Sequence, residues 1–297
     1  MRSCVIFNPT ARGEKAKRFR HQLESIGKET SLKFTASAGE ARELSAAAVQ
    51  EGYDTIVAAG GDGTLNEVLN GIGDVPGGFE RTRLAVLPLG TVNVFAREVG
   101  IPSRFEQAWE TIRQGHETLI DLPRVEYQNG QNRERRYFAQ LAGAGLDARA
   151  IELVKWQIKK AVGPLAYVFA GFHALLGPSA KIQVSGHNGS MAAALVMIGN
   201  GRLYGGDFRL FPEADLRDGL LEICILPRIN WYILARCTPR LLLLKTLPAS
   251  VAAMLRAPSV TLSSETPVPL QVDGEMIGHL PATFSIEKNR LRVVVSA

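Results

Sequence analysis

The sequence predicts an α/β domain followed by an all-β domain within 297 residues. Short apolar runs alternate with helical stretches over the first 120 residues, which is typical of βαβ units. The later residues contain many short β-like runs, and Asn-Gly or Asp-Gly pairs, which are strong hairpin signals, lie beside several of them. The length is enough for two domains that each bury a core.

The first part of the chain is expected to form a doubly wound parallel sheet with helices on both faces. In such sheets ligands bind beyond the carboxyl ends of the strands. The loops of interest therefore follow the first, third and fourth strands, at 8–13, 60–64 and 89–93. The predicted strands are 4–7, 32–35, 54–60 and 83–90, and the predicted helices, each ended by glycine, are 14–27 and 39–52.

The second part is expected to form an antiparallel sheet or β-sandwich with helical inserts near 148–177 and 230–257. We place the boundary near residue 122, which gives domains 1–122 and 123–297 and leaves open whether the last strand returns to the first domain. Asn-Gly or Asp-Gly pairs begin at residues 129, 188, 200, 218 and 273. The predicted strands are 124–128, 136–143, 181–186, 193–201, 220–226, 259–264, 268–272, 282–287 and 291–296.

Composition narrows the class of protein. The net charge of +5 mildly favours anionic partners, but no nucleic-acid-reading module or long basic stripe is present, so we expect no nucleic-acid partner. Three scattered cysteines without a CxxC pair indicate a reducing compartment, and we expect a cytoplasmic protein. The sequence contains no run of 18 apolar residues, so we expect no membrane span. The first residues, MRSCVIFNPT, lack the features of a signal peptide.

The stretch AAGGDGTLNEV, residues 58–68, combines a glycine-rich turn with one carboxylate. One interpretation is a tight turn in which Thr64 and Glu67 form a capping box. The other is an anion site at a helix N-terminus, although the loop is not a Walker A motif. Asp62 would repel a phosphate about 4 Å away by several kcal/mol, unless a divalent cation lay between them. Magnesium prefers such carboxylate and phosphate ligands, so the functional interpretation is a metal–nucleotide site.

Polar residues at other loops add further candidates. The first strand is followed by Asn8, Pro9 and Thr10, and the fourth by Gly90, Thr91 and Asn93. Taken alone, each of these two loops is more typical of a simple helix cap than of a ligand site. The VDGE stretch is either a plain hairpin turn or a pair of carboxylates, Asp273 and Glu275, that raise one pKa and supply a base. Asp215 and Asp218 form a weak oxygen-ligand site by themselves.

Three motifs together resemble the catalytic domain of the diacylglycerol kinase family, which includes sphingosine and ceramide kinases and bacterial lipid kinases. They are NPTARG (8–13), GGDGTLNEV (60–68) and PLGTVNVFAR (88–97). The resemblance implies a Rossmann-like first domain and a C-terminal β-sandwich, as in NAD kinases. Further matching pieces are GAGLDA (143–148), the glycine pair 205–206, PEADLRDGLLEI (212–223) and VDGE (272–275).

The resemblance implies ATP bound between the domains and Mg²⁺-dependent transfer of its γ-phosphoryl group to a lipid hydroxyl, on a diacylglycerol-like or sphingoid-like acceptor. It implies Glu275 as general base with Asp273 close by, Asp62 at the phosphates, and a structural magnesium site at Asp215, Asp218 and the Leu220 carbonyl. The implied nucleotide contacts are Asn8, Pro9, Thr10, Ala11, Arg12, Thr35, Gly60, Gly61, Asp62, Gly63, Thr64, Leu65, Asn66 and Thr91.

Two departures from the family pattern stand out. Here N-P-T-A-R-G replaces N-P-x-S-G, so Arg12 is expected to contact phosphate where the family has a serine hydroxyl. Val94 stands where an aspartate is usual, so Asp62 lacks the second carboxylate that the family pattern places in the loop after the fourth strand. A kinase of a soluble acceptor such as NAD and a non-catalytic nucleotide-binding regulator remain alternatives.

The expected partners are a nucleotide and a lipid. An apolar slot for the lipid is expected from the inserts 150–176 and 230–257, where apolar residues are interleaved with cations. Such a composition also fits a helix lying on protein or on a membrane surface. We therefore expect transient, peripheral contact with an anionic membrane. A homodimer is left open.

Overall fold

A computed structural model of the chain describes residues 2–9, 19, 22–27, 29–145, 181–186, 189–206, 208–228, 230–244, 247–248 and 250–296, without the side chains of 234, 238 and 240–244. Thr10, Ala11, Arg12 and the predicted insert 148–177 lie outside these residues, as do Asn188 and most of the predicted helix 14–27. Helical residues are described at 19 and 22–26.

The chain divides into two compact units. The first consists of Met1–Leu122 and Glu287–Ala297, and the second of Pro123–Ile286. Both boundaries fall within long strands, Glu117–Asn129 and Glu275–Val294. The first unit is therefore discontinuous in sequence.

A parallel sheet forms the centre of the first unit. Its strands are β1 (Ser3–Phe7), β2 (Ser31–Phe34), β3 (Thr55–Gly60) and β4 (Arg83–Pro88), in the order β2-β1-β3-β4. β1 and β3 are buried along their whole length, as expected of parallel strands covered on both faces. The strand order reverses between β1 and β3, and ligands bind outside the carboxyl ends of the strands at such a switch point.

Helices follow the strands of this sheet. The helices are α1 (Glu40–Gln50), α2 (Asp62–Asp74), α3 (Gly78–Arg81), α4 (Val94–Glu98) and α5 (Phe105–Gln114). α1 and α2 pack against each other, and a side chain at Gly71 of α2 would collide with Ser45 and the backbone of Arg42 on α1. Ser45 donates a hydrogen bond from Oγ to the Val68 carbonyl at 3.1 Å. The close helix pair thus depends on glycine.

The second unit is antiparallel. Its elements are β5 (Glu117–Asn129), β6 (Asn132–Tyr137), β7 (Leu141–Gly145), β8 (Ile182–Gly186), β9 (Gly189–Ala193), β10 (Leu195–Gly199), β11 (Leu203–Tyr204), β12 (Phe208–Arg209), β13 (Leu221–Leu226), α6 (Trp231–Leu244), β14 (Ala253–Ala257), β15 (Ser259–Ser263), β16 (Pro269–Val272) and β17 (Glu275–Val294). One strand path runs β14-β13-β10-β7-β16-β17; β15 pairs with β17 and β8, and β8 pairs with β9. Phe138 and Phe284 are fully buried in its core, with ring centroids 6.2 Å apart.

The predicted fold class, a parallel α/β part followed by an antiparallel β-sandwich, is confirmed. Some element predictions are wrong. Residues 253–257 are not helical but form β14, because β13 offers them a pairing partner from Leu221 to Ile225. The predicted strands 282–287 and 291–296 are one strand, β17, and the predicted strand 136–143 is split between β6 and β7.

Among the described residues, no helix is both long and apolar enough to cross a membrane.

Candidate active site

The turn after β3 is built from glycines that allow close contacts. A Cβ atom on Gly60 would lie 2.6 Å from the Cβ of Thr64, so Thr64 can pack over the turn only if residue 60 is glycine. The Gly60 carbonyl accepts hydrogen bonds from the amides of Leu89 and Gly90, at 3.0 and 3.1 Å. The turn after β3 is thereby fastened to the loop after β4.

Asn93 holds the second loop in place. Its Oδ1 accepts the Gly90 amide at 3.1 Å and its Nδ2 donates to the Gly90 carbonyl at 3.0 Å, with a left-handed backbone at φ 52°. Gly90 faces Gly61 so closely that a Cβ on Gly90 would lie 2.5 Å from the Gly61 Cα. We call the contact formed by Gly61, Gly90 and Asn93 the loop clasp.

Helix α2 begins directly at this turn, with Gly61 as its N-cap and Asp62 as its first residue. The first intrahelical hydrogen bond is donated by Leu65 to the Gly61 carbonyl at 3.0 Å. The amides of Asp62, Gly63 and Thr64 therefore belong to the first turn of the helix and have no intrahelical acceptor. Such a turn attracts anions.

The Asp62 carboxylate lies at this helix start and is partly exposed. Its Oδ1 accepts a hydrogen bond from the Phe95 amide, 3.3 Å away, in the first turn of α4. The β3 turn, the loop clasp and α4 thus position one carboxylate beside the amides of the first turn of α2. The arrangement suits a cation–phosphate pair, because carboxylate oxygens are ligands that Mg²⁺ prefers.

The capping box between Thr64 and Glu67 is wrong. The helix starts at Asp62, so Thr64 is its third residue and is 6% exposed. Glu67 instead accepts the amides of Gly39 and Ala41, at 2.9 and 3.1 Å, at the start of α1. Nothing in the local sequence reveals that Glu67 caps a neighbouring helix.

The other predicted nucleotide contacts of the first unit lie at the same strand ends or in α2. Asn8 follows β1 and donates its amide to the Ala59 carbonyl at 3.3 Å, and Thr35 donates its amide to Phe7 at 2.9 Å. Thr91 is exposed on the β4 loop. Leu65 and Asn66 are buried in α2. Pro9 follows Asn8, while Thr10, Ala11 and Arg12 are not described.

In the second unit, Asp273 and Gly274 form a two-residue turn between β16 and β17, with φ angles of 46° and 86°. The Asp273 carboxylate accepts three amides: Ala139 at 2.7 Å, and Gln140 and Leu141 at 3.0 Å each. The amides between β6 and β7 thus bind a side chain instead of a neighbouring strand, which is why the predicted strand 136–143 is split. The geometry gives Asp273 an anchoring role.

Glu275 is the second acid of this turn, with 36% of its side chain exposed. Its Oε2 accepts a hydrogen bond from Nη2 of Arg136 at 2.5 Å. The Gly274 amide donates to Oε1 of the buried Gln271 at 3.0 Å, which braces the turn. Of the two predicted carboxylates, Asp273 anchors the turn and Glu275 is a partly exposed acid paired with Arg136.

The predicted metal site at Asp215, Asp218 and Leu220 contains an arginine. Asp218 accepts the Leu220 amide on Oδ1 at 2.8 Å, and its Oδ2 is ion-paired with Arg256. Arg256 also contacts Oε1 of Glu222 at 2.7 Å. Burial raises the pKa of Glu222, and Arg256 opposes that effect. The described residues contain no cluster of three or more His, Cys, Asp or Glu side chains suited to a metal.

A cavity of about 530 Å³ lies at the opposite, amino-terminal edge of the parallel sheet. Polar contacts within the protein fill its wall, such as the Arg2 guanidinium with the Glu51 carbonyl at 2.7 Å and over the Tyr53 ring at 4.7 Å. It therefore offers no site for the chemistry of the β3 turn. Its lining is Arg2, Ser3, Glu29, Thr30, Ser31, Tyr53 and Asp54.

Comparison with known proteins gives consistent results. Residues 2–125 match the diacylglycerol kinase catalytic domain, and residues 140–295 match the YegS C-terminal NAD kinase beta sandwich-like domain. Proteins named diacylglycerol kinase from Staphylococcus aureus strains RF122 and JH9 are each 34% identical over 290 residues, covering 95% of this chain and 89% of theirs. The crystal structure of a diacylglycerol kinase from Bacillus anthracis str. Sterne has the same fold, with a TM-score of 0.72, 20% identity, and coverage of 99% of this chain and 97% of that one.

Proposed function

The chain belongs to the diacylglycerol kinase family, whose members are phosphotransferases with an alcohol acceptor, and on this basis we propose that it is an ATP- and Mg²⁺-dependent lipid kinase. It transfers the γ-phosphoryl group of ATP to the hydroxyl of a diacylglycerol-like or sphingoid-like lipid. The observation that carries the proposal is Asp62 at the start of α2, held beside amides that lack an intrahelical acceptor.

The first unit binds the nucleotide in this proposal. The amides of Gly63 and Thr64 contact phosphate oxygens, and Asp62 holds the cation side of the pair. Magnesium, when bound, supplies the positive charge that allows a carboxylate to lie beside phosphate. The glycines at 60 and 61 allow the close approach of backbone to ligand. The proposed nucleotide contacts are Asn8, Pro9, Thr10, Ala11, Arg12, Thr35, Gly60, Gly61, Asp62, Gly63, Thr64, Leu65, Asn66 and Thr91.

We assign the proton acceptor to Glu275. The acceptor oxygen forms a bond to the γ-phosphorus, the bond from that phosphorus to the β–γ bridging oxygen breaks, and the hydroxyl proton passes to the Glu275 carboxylate. Arg136 fixes the orientation of that carboxylate. Asp273 contributes by holding the turn that carries Glu275.

We retain a magnesium site at Asp215, Asp218 and the Leu220 carbonyl as part of the proposal, because oxygen donors suit this hard cation. Its role is structural, since it would brace the loop before β13. Arg256 supplies positive charge at Asp218 in the described structure. Binding of the cation would require Arg256 to release Oδ2 of Asp218.

We place the enzyme in the cytoplasm, in keeping with its scattered cysteines. Because the acceptor is a lipid, we expect transient contact with an anionic membrane. The chain's net charge of +5 supports attraction to such a surface.

Incubation of the purified protein with γ-labelled ATP, Mg²⁺ and a total lipid extract tests this function, with lipids separated by thin-layer chromatography. We expect label in a phosphorylated lipid, and its mobility identifies the acceptor class. Label on added NAD alone would support the soluble-acceptor alternative. Absence of label in every fraction would support the non-catalytic alternative.

A further inference from the structure

The first turn of α6 exposes two aromatic side chains. Trp231 is 72% exposed and Tyr232 is 56% exposed, with their rings edge-to-face and the centroids 6.2 Å apart. Oδ1 of Asn230 accepts the Ile233 amide at 2.9 Å and caps the helix. The two rings therefore lie at a capped helix N-terminus and are exposed to solvent. Tryptophan and tyrosine prefer the interface between a bilayer and water, where one end of the ring is apolar and the other wet.

The described side chains of α6 divide into an inward stripe and an outward face. Ile233 is half-buried and Cys237 is buried, four residues further on. Cys237 is 2% exposed and Cys224 of β13 is fully buried. Burial, and to a smaller extent the charge of the nearby Cys237 thiol, raises the pKa of Cys224 to about 12, so the inward stripe of α6 lies toward Cys224. The outward face consists of Trp231, Tyr232, Ala235, Arg236 and Pro239.

We call Trp231, Tyr232 and Arg236 of the outward face, together with the exposed Arg228 just before the helix, the α6 surface.

The charge around this surface has one sign. No acidic residue occurs between Glu222 and Glu265 in the sequence, whereas five basic residues do: Arg228, Arg236, Arg240, Lys245 and Arg256. Arg256 is neutralised by Glu222 and Asp218. Arg228 and Arg236 are exposed, and no described carboxylate pairs with either of them. An occupant that complements this surface is anionic and apolar at once.

We propose that the α6 surface docks on an anionic lipid bilayer. Trp231 and Tyr232 enter the headgroup region, and Arg228 and Arg236 contact lipid phosphates. Exposed aromatic residues beside cations on one helix face are the composition of an interfacial helix. The inference rests on the proposed function, because it identifies the membrane that presents the lipid acceptor.

Vesicle co-sedimentation of the whole protein tests the docking without any need for catalysis. Vesicles of about 30% phosphatidylglycerol in phosphatidylcholine should sediment the protein, and pure phosphatidylcholine should do so far less. Each arginine near an anionic surface contributes about fivefold in affinity, so the double variant Arg228→Glu and Arg236→Glu should bind at least roughly thirtyfold more weakly. The double variant Trp231→Ala and Tyr232→Ala should bind roughly tenfold more weakly.

Matched controls come from elsewhere on the chain. Leu119→Ala removes another exposed apolar side chain, and Arg209→Glu reverses another exposed cation. Both should sediment like the wild type. Circular dichroism and thermal unfolding check that every variant is folded.

Two further readouts decide the outcome. In the double variant Arg228→Glu and Arg236→Glu, phosphorylation of a short-chain, water-soluble diacylglycerol should be unchanged, while phosphorylation of long-chain diacylglycerol in anionic vesicles should fall. Wild-type sedimentation of the α6 variants would overturn the inference, as would an equal loss on the soluble substrate, which indicates an acceptor slot. If the substitutions change the oligomeric state in solution, the α6 surface is a contact between protein chains, and that result would also overturn the inference. Vesicle binding that depends on the α6 surface, without kinase activity on either substrate, would refute the proposed function alone.

Discussion

At the scale of single residues, Asn93 has an effect larger than its size suggests. Its carboxamide satisfies both the amide and the carbonyl of Gly90, and so fixes the loop clasp beside Asp62. We expect Asn93→Ala to lower kcat/KM for ATP by roughly thirtyfold, mainly through KM, because the turn that carries Asp62 loses its bracing and, in the proposed function, this turn binds the nucleotide. Steady-state kinetics at varied ATP measure the effect, and Asn132→Ala on β6 is the control. An unchanged KM for ATP would contradict this positioning role.

Asp273 and Glu275 are two residues apart, yet their variants should differ in kind. Asp273→Asn should destabilise the protein by about 3 kcal/mol, since the carboxylate accepts three backbone amides. Glu275→Gln should leave thermal unfolding nearly unchanged and lower kcat by at least about 100-fold, because the proton acceptor is lost. Thermal unfolding and turnover are measured on both proteins. Wild-type turnover of Glu275→Gln would contradict the assignment of the base.

The sequence predicts some of these residues and misses others, for a physical reason. Asp62 could be located because a glycine turn after a strand and before a helix is a local pattern. Its hydrogen bond to the Phe95 amide joins residues 33 apart, and Glu67 caps a helix that begins 27 residues before it. Arg136 beside Glu275 is 139 positions away. Contacts of that kind depend on the tertiary fold and leave no local signal.

At the scale of elements, periodicity predicts the buried strands well and the ambiguous segments poorly. β1, β3 and β4 are continuous apolar runs between turn residues, and they occur within two residues of their predicted positions. Residues 253–257 form a short apolar run that equally suits a helix or an edge strand, and the pairing with β13 decides the outcome. Where local propensity is ambiguous, a tertiary partner decides between helix and strand.

Glu117 of β5 forms ion pairs with Arg83 of β4 and Arg292 of β17, all within the first unit. The hydrogen bond from Arg292 lowers the pKa of Glu117 below its ordinary value of 4.5, burial opposes this lowering, and Arg83 adds to it. A lowered folded-state pKa means that the stabilisation is present above pH 4.5 and is lost as the pH falls through the folded-state pKa. We expect Glu117→Gln to be about 1 kcal/mol less stable at pH 7.

Urea unfolding of the wild type and Glu117→Gln across pH 7 to pH 3 measures this effect. The gap in unfolding free energy should narrow below pH 4.5 and close at the lowest pH. Glu110→Gln, in an exposed pair with Arg113, is the control and should show little gap at any pH. A constant gap across the range would contradict the ionic origin.

At the scale of the whole molecule, the first unit depends on residues from the far end of the chain. Leu291, Val293 and Val294 are at most 1% exposed, and Val293 pairs with Leu84 of β4. The change of period near residue 122 could be seen in the sequence, whereas the contribution of Glu287–Ala297 to the first unit could not, because strand pairing across 200 residues has no local pattern.

Deletion of residues 287–297 should therefore unfold the first unit, although it leaves residues 1–122 intact in sequence. The reason is that β4 loses one of its two neighbouring strands and keeps only β3, and the first unit loses three buried aliphatic side chains, each worth about 2 kcal/mol. Soluble yield and nucleotide binding measure the outcome. Deletion of residues 296–297 is the control. Full nucleotide binding by the longer deletion would contradict a shared core.

The central claim is that the Asp62 carboxylate holds the cation of a metal–nucleotide in a lipid kinase. Asp62→Asn tests it most directly, because asparagine keeps an oxygen for the Phe95 amide and removes only the charge. The measurement is phosphorylation of diacylglycerol as a function of Mg²⁺ concentration. We expect saturable Mg²⁺ dependence in the wild type, and a loss of about 1,000-fold in kcat/KM in a folded Asp62→Asn protein. Wild-type turnover in that variant would contradict the account.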